Sequence, residues 1–220
     1  LSPDGVILDS TGFLVSSAAY PQYDPNIASD GTGYLVIWND ERRLGFDDVY
    51  GMRFDHNGRR LDPIPFLVEQ TWFHSCGLPP VVTYGAGNYL AVWVGADMEY
   101  EIRAARISRG GVVLDTPSVL VASVGFGVSM PGVGSDGTNY LLAWGETGQG
   151  QDFDISGRRV SSSGQVLDTA AIHISTAEMD QSCPSIAFDG RNYLVVWTDG
   201  RNGTDCDVYG ARVTPDGIVL

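Results

Sequence analysis

GTGYLVIWND (31–40) returns three more times in altered form: GNYLAVWVG from Gly87, TNYLLAWGE from Thr138 and RNYLVVWTD from Arg191. Each copy carries apolar side chains on both alternating rows, the pattern of a strand buried on both faces. Aligning the four copies aligns much else. Arg53, Arg106, Arg159 and Arg212 lie 53 residues apart, and so do Asp48, Glu101, Asp154 and Asp207. Gly58, Gly111, Gly164 and Gly217 follow the same spacing, as do Leu61, Leu114, Leu167 and Leu220. The blade-sized repeats run about 1–53, 54–106, 107–159 and 160–212, within one domain over 1–220, and VTPDGIVL (213–220) duplicates LSPDGVIL (1–8).

Four strands fit into each period. The first, such as PNIASD (25–30), ends at Asp30-Gly31, Asp136-Gly137 or Asp189-Gly190, a hairpin signal because glycine accepts positive φ at little cost. The second repeat has Tyr84-Gly85-Ala86-Gly87 there instead. After the doubly apolar second strand come a polar loop and a third strand typified by DVYGMRF (48–54). A glycine hairpin then leads to a fourth strand such as RLDPIPFLVE (60–69). No 3.6-residue apolar period is sustained, so essentially no helix is expected. These features predict an all-β, four-bladed β-propeller of four-stranded antiparallel blades. The ring is expected to close by residues 6–16 pairing with strand 207–213, which would protect an exposed edge. The duplicated octets compete for one position, so one copy frays or the chain is a piece of a longer array. A first residue Leu1 in place of Met points the same way, to a processed protein or a fragment.

The pattern DG-x-x-YLVVW-x-D-x-R followed by D-V/I-Y-G-x-R-V resembles repeats of large secreted or surface proteins of bacteria. The resemblance spans the chain and is most complete in DGRNYLVVWTDGRNGTDCDVYGARV (189–213). It implies a propeller blade and an extracellular or cell-surface location, and it carries no catalytic residues with it. The blade count also resembles hemopexin-like propellers, by architecture only.

Charge narrows the partners. Thirteen basic residues, all arginine, against 27 acidic ones give a net charge of -14, which repels a phosphate backbone. Nucleic acid is therefore not an expected partner, and the absence of lysine removes Schiff-base chemistry. No run of 18 apolar residues predicts a membrane-spanning helix.

The loops after the second strands, NDERRLGFDD, VGADMEYE, GETGQGQDFD and TDGRNGTDCD, hold thirteen of the 27 acids. They form an acidic rim on what we call the upper face. Ca²⁺ takes such oxygen ligands, and Asp47, Asp48, Asp205 and Asp207 are the candidates, against a plainly solvated surface. The Asp48, Glu101, Asp154, Asp207 ring and the Arg53, Arg106, Arg159, Arg212 ring recur in every repeat, so they read as blade-holding groups. Tyr20, Phe73, Phe126 and Met179 form a further ring, expected to seal the blades and alternatively to offer a ligand platform. The second repeat departs most from the pattern, and Trp72, His74, Met98 and Tyr100 are its candidate ligand-binding patch. Among Cys76, Cys183 and Cys206, a Cys183–Cys206 disulfide with Cys76 free is expected, a Cys76–Cys183 bridge being the main rival and three unbonded thiols the remaining alternative.

With no unrepeated catalytic constellation and no G-x-S-x-G, the expected function is a non-catalytic, lectin-like binding or scaffold module for glycan or protein. No cofactor is assigned beyond Ca²⁺. The alternative is a polysaccharide-active hydrolase or lyase with its site in the upper funnel.

Overall fold

A computed structural model describes residues 4, 7–43, 45–71, 77–96, 99–125, 127–147 and 152–220. Among them there is no helix. The first antiparallel sheet is β1 (Gln22–Ser29), β2 (Gly33–Arg43), β3 (Phe46–Asp55) and β4 (Phe66–Glu69). The second is β5 (Val81–Gly85), β6 (Asn88–Ala96), β7 (Tyr100–Ser108) and β8 (Val119–Val124). The third holds β9 (Gly132–Ser135), β10 (Asn139–Thr147), β11 (Phe153–Ser161) and β12 (Ile172–Ser175). The fourth holds β13 (Gln181–Phe188), β14 (Tyr193–Asp199) and β15 (Asp207–Val213). In every sheet sequential strands are hydrogen-bonded neighbours, as in a propeller blade.

The blades pack face to face through the strand that betrayed the repeat. Leu35 and Ile37 of blade 1 meet Tyr89, Ala91 and Trp93 of blade 2. Leu90 and Val92 of blade 2 meet Tyr140, Leu142 and Trp144 of blade 3. Leu141 and Ala143 of blade 3 meet Tyr193, Val195 and Trp197 of blade 4. In β6 and β10 one row thus faces the blade before and the other row the blade after, whereas β2 and β14 each pack one row against a neighbouring blade. Burying one such large side chain contributes roughly 1.5–3 kcal/mol.

Inner strands β1, β5, β9 and β13 pack side by side in that order. Their approach requires glycine: a Cβ at Gly132 would lie 2.5 Å from the Pro184 carbonyl oxygen, in backbone that cannot swing away. Gly132→Ala is therefore expected to destabilise the fold by about 1–3 kcal/mol, read by urea denaturation. An unchanged midpoint would show that β9 and β13 separate freely. At the other end of these strands, Asp30, Asp136 and Asp189 each accept two backbone N–H groups of their own turn. The glycines that follow sit at φ +84, +89 and +94.

Two sequence expectations need correction. The fourth sheet has three strands, and residues 7–16 form no strand against β15. That segment lies instead on blade 1, with Phe13 against Phe54 at 5.6 Å and the Leu14 carbonyl accepting from Arg60. Phe13 and Val15 sit where Phe66 and Val68, 53 residues on, sit against blade 2. The segment is thus placed as an outer strand for the blade after it, without pairing to the blade before it. No core cluster among the described residues joins blade 4 to blade 1. Leu194 is 48% exposed although its counterparts Leu35, Leu90 and Leu141 are fully buried. Tyr34 is 39% exposed although Tyr89, Tyr140 and Tyr193 are buried.

The second correction concerns the cysteines. Cys183 and Cys206 are both free and exposed. Gln181 pairs with Asp199 and Asp199 with Asp207, so β14 stands between the two cysteines. Two inter-strand spacings of about 4.8 Å exceed the Cα separation a disulfide spans. Cys76 lies outside the described residues.

Candidate functional site

The upper face is built from the outer ends of the second and third strands, and blades 1 and 4 finish them identically. Trp38 donates its indole N–H to Asp40 at 2.9 Å, and Arg42 grips the same carboxylate at 2.8 and 2.7 Å while lying over the Tyr50 ring. Trp197, Asp199, Arg201 and Tyr209 repeat this arrangement. Asp40 and Asp199 are fully buried. The Trp-x-Asp-x-Arg signature is therefore an internal lock: every carboxylate oxygen is spoken for.

The Arg201 guanidinium holds the Asp199 carboxyl down, to about 2. A depressed folded pKa adds stability that is fully present above the ordinary value of 3.8 and is lost as pH falls through about 2. Urea unfolding at pH 5, 3 and 2 should show a loss of about 2 kcal/mol from this group. The Asp199→Asn protein should lack that component of the acid slope.

The recurrent acid ring keeps one register position, opposite Asp40, Gly95, Glu146 and Asp199, yet its members meet different partners. Asp48 is buried and clasped by Arg43 at 2.8 and 3.0 Å, with the Thr71 N–H as a further donor. Glu101 accepts from Arg103 at 2.7 Å. Asp207 is exposed and accepts from the Asn202 amide. Asp154 pairs with no guanidinium among the described residues. The arginine ring behaves more uniformly. Arg53, Arg106 and Arg159 fork onto Asp62, Asp115 and Asp168 and also donate to a turn carbonyl of the following blade. Arg212 is exposed and makes no ion pair among the described residues.

Blade 3 breaks the lock. Trp144 donates to Glu146 at 3.0 Å, but Gly148 stands where the arginine would be. Asp154 lies directly across β10–β11 from Glu146. Burial pushes the Asp154 carboxyl up, and the Glu146 and Asp152 charges push it further, against the attraction of His173. Two facing carboxylates with no guanidinium partner among the described residues are a departure that the sequence shows only once the lock in blades 1 and 4 is understood.

Around the axis lies a cavity of about 560 Å³, open on the disc. The inner-strand prolines Pro25, Pro131 and Pro184 line it with the residues before them, Asp24, Met130 and Cys183. Asp24 is its one acid among the described residues. β1 and β13 shift register here, and Asp24 and Cys183 take φ of +54 and +56. Such bulges re-aim a side chain, in this case toward the axis.

The candidate metal ligands do not converge. Asp47 holds the Tyr23 hydroxyl and Asp48 is consumed by Arg43, while Asp205 and Asp207 belong to another blade. Among the described residues no three acidic, histidine or cysteine side chains come together. Of the ligand patch, Trp72, His74 and Met98 lie outside the described residues, and Tyr100 packs into the blade 2–blade 3 core. The apolar ring does not seal the blades where it is described: Tyr20 is 52% and Met179 47% exposed, each on a positive-φ loop. Phe73 and Phe126 lie outside the described residues. Among the described residues no helix is long and apolar enough to cross a membrane.

No family model matches the chain, and no curated protein matches it in sequence. Solved structures do match in shape. The chain is similar to a Penicillium chrysogenum α-L-arabinanase complexed with arabinobiose, at 10% identity and TM-score 0.63, over 90% of this chain and 65% of that one. It is similar to a Cellvibrio cellulosa α-L-arabinanase complexed with arabinohexaose, at 9% identity and TM-score 0.56, over 90% and 76%. A Lactobacillus brevis α-L-arabinofuranosidase gives 16% identity and TM-score 0.53, over 90% and 74%. The chain thus spans just under two thirds of the first of these proteins and about three quarters of the other two. At such identities the likeness establishes the β-propeller. The expectation of a non-catalytic binding module is corrected by these matches, since the three structures named are two arabinanases and an arabinofuranosidase. The polysaccharide-active alternative is taken up below.

Proposed function

We propose that the protein is a secreted or surface-displayed glycoside hydrolase of the bacterial repeat type noted above, acting on a plant-type polysaccharide such as arabinan. The observation that carries the reading is the unbalanced pair Glu146 and Asp154, on a propeller shaped like arabinan-cleaving enzymes. Glycosidic cleavage needs two carboxyl groups in different protonation states beside the bond. Asp154, whose protonated form is favoured by burial and by the Glu146 and Asp152 charges, is the group that would give a proton to the glycosidic oxygen. Glu146, oriented by the Trp144 indole, supplies negative charge to the oxocarbenium-like transition state and supports the arriving water or covalent intermediate. The axial cavity, with Asp24 on its wall, has the volume to receive sugar units.

The test is reducing-sugar release from linear and branched arabinan, arabino-oligosaccharides and a panel of other plant polysaccharides. Saccharide release from at least one glycan is expected. A folded protein that releases nothing across the panel would refute the hydrolase reading.

A further inference from the structure

Blade 2 lacks the carboxylate that the other blades place under their tryptophan. Asp40, Glu146 and Asp199 accept from Trp38, Trp144 and Trp197 at 2.9, 3.0 and 2.8 Å. Two residues after Trp93 the chain has Gly95. Trp93 is 2% exposed and its indole N–H has no acceptor among the described residues. A buried donor left unpaired is costly and calls for an occupant.

The second half of the lock is present, delivered from a different strand. Arg103 lies directly opposite Trp93, at the place of Tyr50 and Tyr209 in blades 1 and 4. Those are the rings over which Arg42 and Arg201 lie at 3.7 and 3.9 Å. Arg103 donates through Nε to Glu101 and through Nη1 to Ser118. A Cβ built on Gly95 would meet Arg103 Cδ at 3.4 Å, Arg103 Nε at 3.7 Å and Glu101 Oε2 at 3.9 Å, all ordinary contacts with side-chain atoms. The position therefore accepts a side chain and lacks one.

We propose that blade 2 binds a carboxylate group brought by a ligand, between the Trp93 indole N–H and the Arg103 guanidinium. The ligand class is a monocarboxylate, either a small free acid or the uronic-acid group of a glycan. Glu101 does not forbid a second negative charge there. Blade 4 sets Asp199 and Asp207 side by side on β14 and β15 with Arg201 as the one paired cation. A carboxylate is preferred to other anions because that is what the three remaining blades install against the same donor. The site is independent of hydrolysis at blade 3 and stands or falls separately.

The experiment follows the tryptophan indole N–H resonances of the full chain, with Trp93 assigned from a Trp93→Phe protein. Sodium acetate, sodium galacturonate, neutral galactose and sodium chloride are titrated at constant ionic strength. Acetate should move the Trp93 resonance saturably while galactose and chloride do not. Response to galacturonate as well would assign the site to an acidic sugar, and response to acetate alone would assign it to a small free acid. Gly95→Asp should supply the carboxylate internally, with a shifted Trp93 resonance, a higher melting temperature and acetate affinity lowered about tenfold or more. If that protein does not fold, Arg103→Gln serves: it should weaken acetate binding to a similar degree. A Trp93 resonance unmoved by every carboxylate, or equally responsive in these variants, overturns the proposal.

Discussion

Asp154→Asn and Glu146→Gln should each lower kcat/KM for glycan hydrolysis by about 10²–10⁴-fold, which corresponds to roughly 3–5 kcal/mol of barrier. Both substitutions keep the shape of the side chain. Asn at 154 removes a carboxylate that burial, and then the Glu146 and Asp152 charges, disfavour, so the melting temperature should hold or rise. Activity lost without stability lost is the signature of a reacting group, and a merely structural carboxylate would not give it. The pH dependence follows from the same carboxyl. Its acid form must be present, so the rate should fall as pH rises through the elevated Asp154 pKa. If Asp154→Asn retains full activity, blade 3 is not the catalytic centre and Asp24 on the axial wall becomes the group to test.

Asp199→Ala should destabilise the fold by about 3–5 kcal/mol, the scale for removing one partner of a buried ion pair. The substitution strands the Trp197 indole N–H and the Arg201 guanidinium together, both of which it now satisfies. Asp207→Ala should change stability by no more than about 0.5 kcal/mol, since that side chain is exposed and bonded to an exposed amide. Urea denaturation of the two proteins side by side is decisive. Equal losses would mean that burial does not separate these acids, and the sequence reading of Asp207 as a blade-holding group would stand.

Much of the architecture is legible in the sequence because a strand buried on both faces leaves an unmistakable mark. YLVIW and its three relatives show both apolar rows, and the structure buries both rows of β6 and β10 between blades. Asp-Gly turns were visible for the same local reason, since only a few residues accept positive φ. The candidate site was far less visible. Asp40 and Asp199, each with an arginine two residues on, read as blade-holding acids, but only the structure shows Trp38 and Trp197 donating to them, and Glu146 stands in the sequence as one more acid of the rim. What distinguishes Glu146 is a missing arginine, and what distinguishes Gly95 is a missing carboxylate. Neither absence has meaning before the contacts in the other blades are known.

Local chemistry written into consecutive residues, the 53-residue period, the strand types and the turn glycines, was determined by the sequence alone. Three matters were decided only in three dimensions. Whether blade 4 meets blade 1 depends on the angle at which successive faces pack, and no residue pattern encodes that angle directly. Whether Cys183 reaches Cys206 depends on β14 standing between them. Whether an acid is a lock, an ornament of the rim or a reacting group depends on which donors converge on it, and those donors come from neighbouring strands and blades. Short-range geometry follows from covalent sterics and is readable along the chain, whereas burial and charge pairing are properties of surfaces brought together by packing.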